Sequence, residues 1–171
     1  MNDKVKTEIK EWIKTIIFAI ITYSILSIFI FSTRVEGLSM YPTFNDNNFL
    51  ITTRAYLQHE FNHGDVVVFN STKLHKVLIK RIIGVGGDTI KLENGQVYRN
   101  GKVLNEYYIN NKVTETLEIK VLPGTYFVMG DNRQNSLDSR FEMVGLINQK
   151  DIIGKVVFRV FPSPQIIKKG V

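Results

Sequence analysis

The chain has 171 residues, a formal net charge of +6, 44% hydrophobic residues and no cysteine. That length suits one domain plus an anchor, and the lack of thiols excludes disulfides, thiolate zinc sites and cysteine nucleophiles. A basic balance fits either nucleic acid or anionic lipid, but with no recognition helix, RNA-stacking aromatic motif or basic block, no nucleic-acid partner is expected.

The first predicted element is an apolar helix. Residues 1–14 carry Lys4, Lys6, Lys10 and Lys14 against Asp3, Glu8 and Glu11, and residues 15–33 carry no charge at all. At a rise of about 1.5 Å per residue that run is roughly 28 Å long, close to a hydrocarbon core of about 30 Å. Only Arg34 lies just beyond it. The positive-inside rule then predicts a cytoplasmic segment over 1–14, a transmembrane anchor over 15–33 and an extracytoplasmic domain over 34–171. Trp12 is expected at the inner headgroup level. A cleavable leader is disfavoured, because the run exceeds an h-region of about 7–15 residues and no A-x-A-like site follows. A buried core helix is disfavoured too, because the run has no polar face.

Beyond Arg34 the chain reads as mainly β. Residues 37–43 read Gly-Leu-Ser-Met-Tyr-Pro-Thr around Ser39, where Gly37 permits close backbone approach and Pro42 fixes the chain just after the serine. A strand is predicted over 49–53, rich in β-branched and aromatic residues. Then comes His59-Glu60-Phe61-Asn62-His63, which matches H-E-x-x-H. Zinc protease chemistry needs those residues on a helix. Gly64-Asp65 and a β run follow at once, so a polar loop is expected and no metal site. Strands are predicted over 65–69 and 77–85, the second interrupted by Lys80, Arg81 and Gly84. A turn at Gly86-Gly87-Asp88 leads into a small meander near 88–122, with strands over 89–93, 96–99, 102–104 and 117–122. Asn94-Gly95 and Asn100-Gly101 supply the positive φ values of type I′ hairpins. Strands over 126–129 and 156–161 complete the pattern, and only short helices are predicted after residue 34, within 135–141 or near 149–152.

Two residues stand out chemically. A serine hydroxyl is a weak nucleophile until a base takes its proton, and none of the three histidines is placed to serve Ser39. A serine–lysine pair is an established variant. Lys80 suits the second role, since its apolar neighbours Val77, Leu78, Ile79, Ile82 and Ile83 would disfavour the ammonium form. Acting near pH 7–8 requires a drop of about 2–3 units, roughly 3–4 kcal/mol of differential solvation. The bland readings are a structural serine and a lysine snorkelling from a strand edge. The block 130–140 packs hydrogen-bonding side chains directly after an apolar strand, which suits either the support of such a pair or a solvated turn.

Four blocks taken together resemble the type I signal peptidases, the bacterial membrane-bound serine–lysine endopeptidases. They are residues 37–43, 64–69, 80–88 and 130–140, in the family's order, and with the anchor they span most of the chain. The resemblance implies a β-rich catalytic domain of the signal-peptidase type with one N-terminal transmembrane helix, and no cofactor. It implies Ser39 as nucleophile and Lys80 as general base, with Ser136 hydrogen-bonding the lysine amine. It pairs Asp131 with Arg81 and Asp138 with Arg140. It places Met40 and Ile79 in shallow pockets for small residues at positions −1 and −3 of a substrate that adds as a strand. The implied partners are signal peptides of exported pre-proteins and the lipid bilayer. Gly37 stands where some relatives carry a serine that helps hold the oxyanion, a variant similar to the Gram-positive branch. The turn after Lys80 lacks a proline that many relatives have, and the short stretch 88–123 leaves a minimal second β subdomain.

Overall fold

The computed structural model describes residues 3–170. Residues 1 and 2 of the expected cytoplasmic segment and residue 171 at the end of the expected 34–171 domain lie outside the described residues. Helix α1 (Asp3–Phe29) contains no glycine or proline. Among the described residues its Lys4–Phe29 portion is the one helix long and apolar enough to cross a membrane. The helix stops at Phe29, four residues short of the end of the charge-free run, because Ile30–Arg34 instead forms strand β1. Ile30 and Phe31 are β-formers, and β1 pairs antiparallel with β2 (Phe49–Arg54) over its whole length, from Ile30 opposite Thr53 to Arg34 opposite Phe49. A local helix tendency yields there to a sheet edge that needs a partner.

The remaining strands are β3 (Val66–Ser71), β4 (Lys76–Val85), β5 (Thr89–Glu93), β6 (Gln96–Arg99), β7 (Lys102–Val103), β8 (Leu117–Lys120), β9 (Thr125–Met129), β10 (Ile147–Asn148), β11 (Ile152–Phe161) and β12 (Gln165–Ile166). The large antiparallel sheet runs β1-β2-β11-β3-β4-β9-β10, with β12 beside β11. The small sheet runs β7-β6-β5-β8. Beyond α1 the helices among the described residues are single 3-10 turns at Ala55–Leu57 and Gln149–Asp151. The short helix expected within 135–141 is not formed: that stretch is irregular chain with bends and a turn.

Side-chain alternation distributes the core. Val67 and Phe69 of β3 join Phe61, Ile82, Tyr126, Val128 and Ile152 in one cluster. Val66 and Val68 point the other way, into a cluster with Met40, Phe44, Leu50 and Val156. Both faces of β3 are therefore buried, which is why it reads as an unbroken apolar run. A third cluster seals the small sheet to the large one, with Ile90, Leu92 and Val97 packed on Ile83, Phe127 and Met129. The two Asn-Gly hairpins have the expected geometry, with φ of 51° and 52° at Asn94 and Asn100 and 77° at both glycines.

Candidate active site

Ser39 lies in the loop from β1 to β2. Apolar anchors hold that loop: Met40 and Phe44 are fully buried in the cluster around Leu50 and Val66. Within it, the Phe44 N–H donates to Met40 O at 2.8 Å and the Tyr41 N–H to Leu38 O at 3.1 Å. The Tyr41–Pro42 peptide is cis. Gly37 has φ of 83°, which glycine adopts without penalty, and its N–H donates to Asp46 Oδ1 at 2.8 Å.

Lys80 is in β4, opposite Val67 of β3. It is 2% exposed. Its Nζ lies 2.7 Å from Ser39 Oγ and 3.0 Å from Ile79 O. Burial pushes the amine down to about 8, against the opposing pull of the Asp138 and Asp131 carboxylates and with help from the Arg140 charge. Desolvation wins because each nearby carboxylate already has an arginine of its own. Ser39, Lys80, Met40 and Ile79 line one cleft of about 350 Å³, together with Thr33, Arg34 and Leu78. Gly37 is not part of that lining.

The 130–140 loop braces the pair from behind. Asn132 donates through its backbone N–H to Ser39 O (3.0 Å) and through Nδ2 to Leu38 O (3.1 Å). Asp131 takes a forked bond from Arg81 Nε (2.8 Å) and Nη2 (2.6 Å) and a third from the Thr43 hydroxyl. The Arg81 guanidinium also donates to Gly64 O at 2.9 Å and stacks 4.1 Å from the Tyr108 ring centre. Asp138 accepts from Arg140 Nε (2.8 Å) and Nη2 (3.0 Å), and Arg140 Nη1 reaches Glu115 at 2.9 Å. Arg133 forks onto Glu106 and donates to Gly130 O at 3.1 Å. Planar guanidinium forks suit these carboxylates, which is why arginine fills every such position.

A direct Ser136–Lys80 hydrogen bond is not among those of the described residues. Ser136 Oγ donates to Asp138 Oδ2 at 2.7 Å, and among the described residues Lys80 Nζ donates to Ser39 Oγ and Ile79 O. The carboxylate takes the one proton of the Ser136 hydroxyl and leaves its lone pairs facing outward. Asn132, Thr43, Glu106 and Glu115 were not predicted. Asn132 had a signal, being inside the polar block, whereas the two glutamates sit in an irregular stretch with no local pattern. His59–His63 is non-helical, and His63 Nε2 pairs with Asp88 at 2.7 Å. The shared helix face that H-E-x-x-H chemistry needs is therefore not formed there.

Gly130 is where the two loops touch. A Cβ there would lie 2.2 Å from Ser136 Oγ and 2.4 Å from Ser39 O. Gly130→Ala is expected to push the Ser39 loop away from Lys80. A misplacement near 1 Å costs about 100-fold in kcat, and wild-type kcat in a leader-cleavage assay of the variant would refute the contact's importance.

The family described as signal peptidase, peptidase S26, matches residues 9–161. The chain is 40% identical over 182 residues to signal peptidase I S of Bacillus subtilis strain 168, covering 98% of this chain and 97% of that one. It is 38% identical over 174 residues to signal peptidase I P of Bacillus subtilis subsp. natto, covering 94% of each. A crystal structure of a signal peptidase I from Enterococcus faecalis V583 superposes with a TM-score of 0.51 at 29% identity, over 56% of this chain and 96% of that one. Fold and family together define a β-rich peptidase. The chain belongs to the signal peptidase family, peptidase S26, and is of its type I class, a serine protease whose members remove signal peptides from pre-proteins. The one apolar helix and the family support a single-pass membrane protein.

Proposed function

We propose that this chain is a membrane-anchored endopeptidase that cleaves leaders from exported pre-proteins with Ser39 as nucleophile and Lys80 as general base. The observation that carries the reading is a 2.7 Å contact between Ser39 Oγ and an amine that is 2% exposed. The anchor is α1, with its N-terminus cytoplasmic and residues 34–171 as the catalytic domain on the outer face. The lysines before the apolar run favour that orientation. Neither nucleic acid nor a cofactor enters the reaction.

The substrate edge follows from pairing. β9 pairs with β4 only from Arg81 onward, and β3 covers the other side of residues 76–81. The second edge of residues 76–80 is therefore open along the cleft, where an extended leader can add as a strand. Met40 and Ile79 would then shape the pockets for small residues at −1 and −3. Neutral Lys80 takes the hydroxyl proton while Ser39 Oγ attacks the carbonyl of residue −1. Backbone N–H groups around Ser39 meet the oxyanion. The ammonium returns its proton to the leaving amine, and neutral Lys80 then activates water to release the acyl group. Asp131–Arg81, Asp138–Arg140 and Ser136 hold these groups in place.

The pH–rate profile tests the base. Lys80 must be neutral, so kcat/KM should rise tenfold per pH unit below a midpoint of about 8 and level off above it. The readout is cleavage of a pre-protein, with the new N-terminus sequenced. A profile flat from about pH 6 to 10, with chemistry limiting, would remove Lys80 from the mechanism.

A further inference from the structure

The exit of the helix from the membrane is built without a linker. α1 ends at Phe29 and β1 begins at Ile30. The last carbonyls of any helix lack partners inside it, and a cation near them is favoured. α1 has no basic residue in its last turn. The partners come from the sheet instead. Arg54, the last residue of β2, donates from Nε to Ser27 O at 3.1 Å and lies 5.4 Å from the Phe31 ring centre. Tyr56, in the 3-10 turn that follows β2, donates its hydroxyl to Ile28 O. Neither residue lines the cleft or touches Ser39 or Lys80. Both tie the helix end to the strand that pairs with β1.

The far end of β1 is itself a wall of the cleft: Thr33 and Arg34 line it with Ser39 and Lys80. One continuous stretch thus runs from helix to cleft, braced at the helix end by two side chains and along β1 by the β2 ladder. From Phe29 to Thr33 is four steps, about 13 Å at about 3.3 Å per residue. A hinged linker would let the cleft sample many heights above the bilayer. A capped helix running straight into a paired strand holds one.

We infer that Arg54 and Tyr56 are positioning residues that lock the helix exit to the large sheet, so that the enzyme selects leaders by the number of residues between their apolar run and the scissile bond. The inference rests on the proposed reading of α1 as the anchor and of the cleft as the leader site. A substrate strand must cover the same climb as β1, so leaders with fewer than about four residues there fall short of the cleft. Longer spacers must slacken, which lowers the effective concentration of the bond at Ser39.

The full chain, reconstituted in vesicles of phosphatidylcholine and phosphatidylglycerol, would be given pre-proteins with spacers of two to twelve residues. A short leader peptide without its apolar run would be assayed in parallel in detergent. For the wild type we expect a peaked profile, falling about tenfold within two or three residues of the optimum. For Arg54→Met with Tyr56→Phe we expect that contrast to shrink to about threefold or less, with the short peptide cleaved as by the wild type. Tyr56→Phe alone, which removes one oxygen, and a Gly-Ser-Gly insertion between Phe29 and Ile30 should broaden the profile in the same direction. An unchanged peak in these variants, or a wild type indifferent to spacing, overturns the inference. Failure of the wild type to cleave even the short peptide would instead overturn the peptidase reading beneath it.

Discussion

Lys80→Met is expected to abolish leader cleavage while making the protein more stable. Removing one member of a nucleophile–base unit costs about as much as removing both, on the order of 10⁴–10⁶ in kcat. Lys80→Met, Ser39→Ala and the double variant should therefore share one residual rate. The stability gain follows from the amine's displacement from 10.5 to about 8 by burial. Between those values the unfolded chain holds a proton that the folded chain has lost, so stability rises with pH across that window. Below about 8 the full cost is present, about 3 kcal/mol for a displacement of this size. Methionine is of similar length and carries no charge, so the variant should gain about 2–3 kcal/mol at pH 7, with the difference gone by about pH 10.5. Chemical unfolding of the detergent-solubilised full chain at both pH values measures this. A variant that keeps more than about a hundredth of the wild-type rate, or is less stable at pH 7, contradicts the assignment of Lys80 as a buried base.

Sequence pattern reached the pieces of this site that obey local rules. β3 was readable because a strand buried on both faces is apolar in its Val66–Phe69 run, β4 because β-branched and aliphatic residues dominate it, and the hairpins because Asn-Gly has few conformational uses. Lys80 was noticeable as a charge with apolar neighbours in β4. The end of the helix was not readable, since Ile30, Phe31 and Thr33 satisfy both an apolar span and a sheet edge, and only pairing with β2 decides between them. β10 and β12, two residues each, have no period to detect. The same limit applies to Glu106 and Glu115, whose importance comes from where Arg133 and Arg140 arrive. The resemblance makes Ser136 a partner of the lysine amine, and what chain spacing does not show is that the Ser136 proton goes to Asp138 Oδ2. Which acceptor a hydroxyl reaches depends on three-dimensional distances that chain spacing does not encode.

Arg81→Met is expected to be the most destabilising single change near the site. Arg81 is 1% exposed and Asp131 0%, and their fork joins β4 to the 130–140 loop. Removing one partner of a buried pair strands the other charge and costs about 3–5 kcal/mol, against a total stability of about 5–15 kcal/mol for a typical domain. Replacing both partners by apolar residues of similar shape removes the stranded charge, so Arg81→Met with Asp131→Leu should recover most of the loss. The rate should not recover with it. Arg81 follows Lys80 in β4, and Asp131 also holds the Thr43 hydroxyl, four residues after Ser39. The fork therefore sets the Ser39 loop against the lysine strand, a positioning role that two apolar side chains cannot supply. The double variant should unfold near the wild-type denaturant midpoint yet cleave about 100-fold more slowly, the scale expected for a displacement near 1 Å. A full return of kcat with stability would reduce the Arg81–Asp131 pair to a packing feature, and a loss below about 1 kcal/mol in Arg81→Met would show that Asp131 is not stranded when its partner goes.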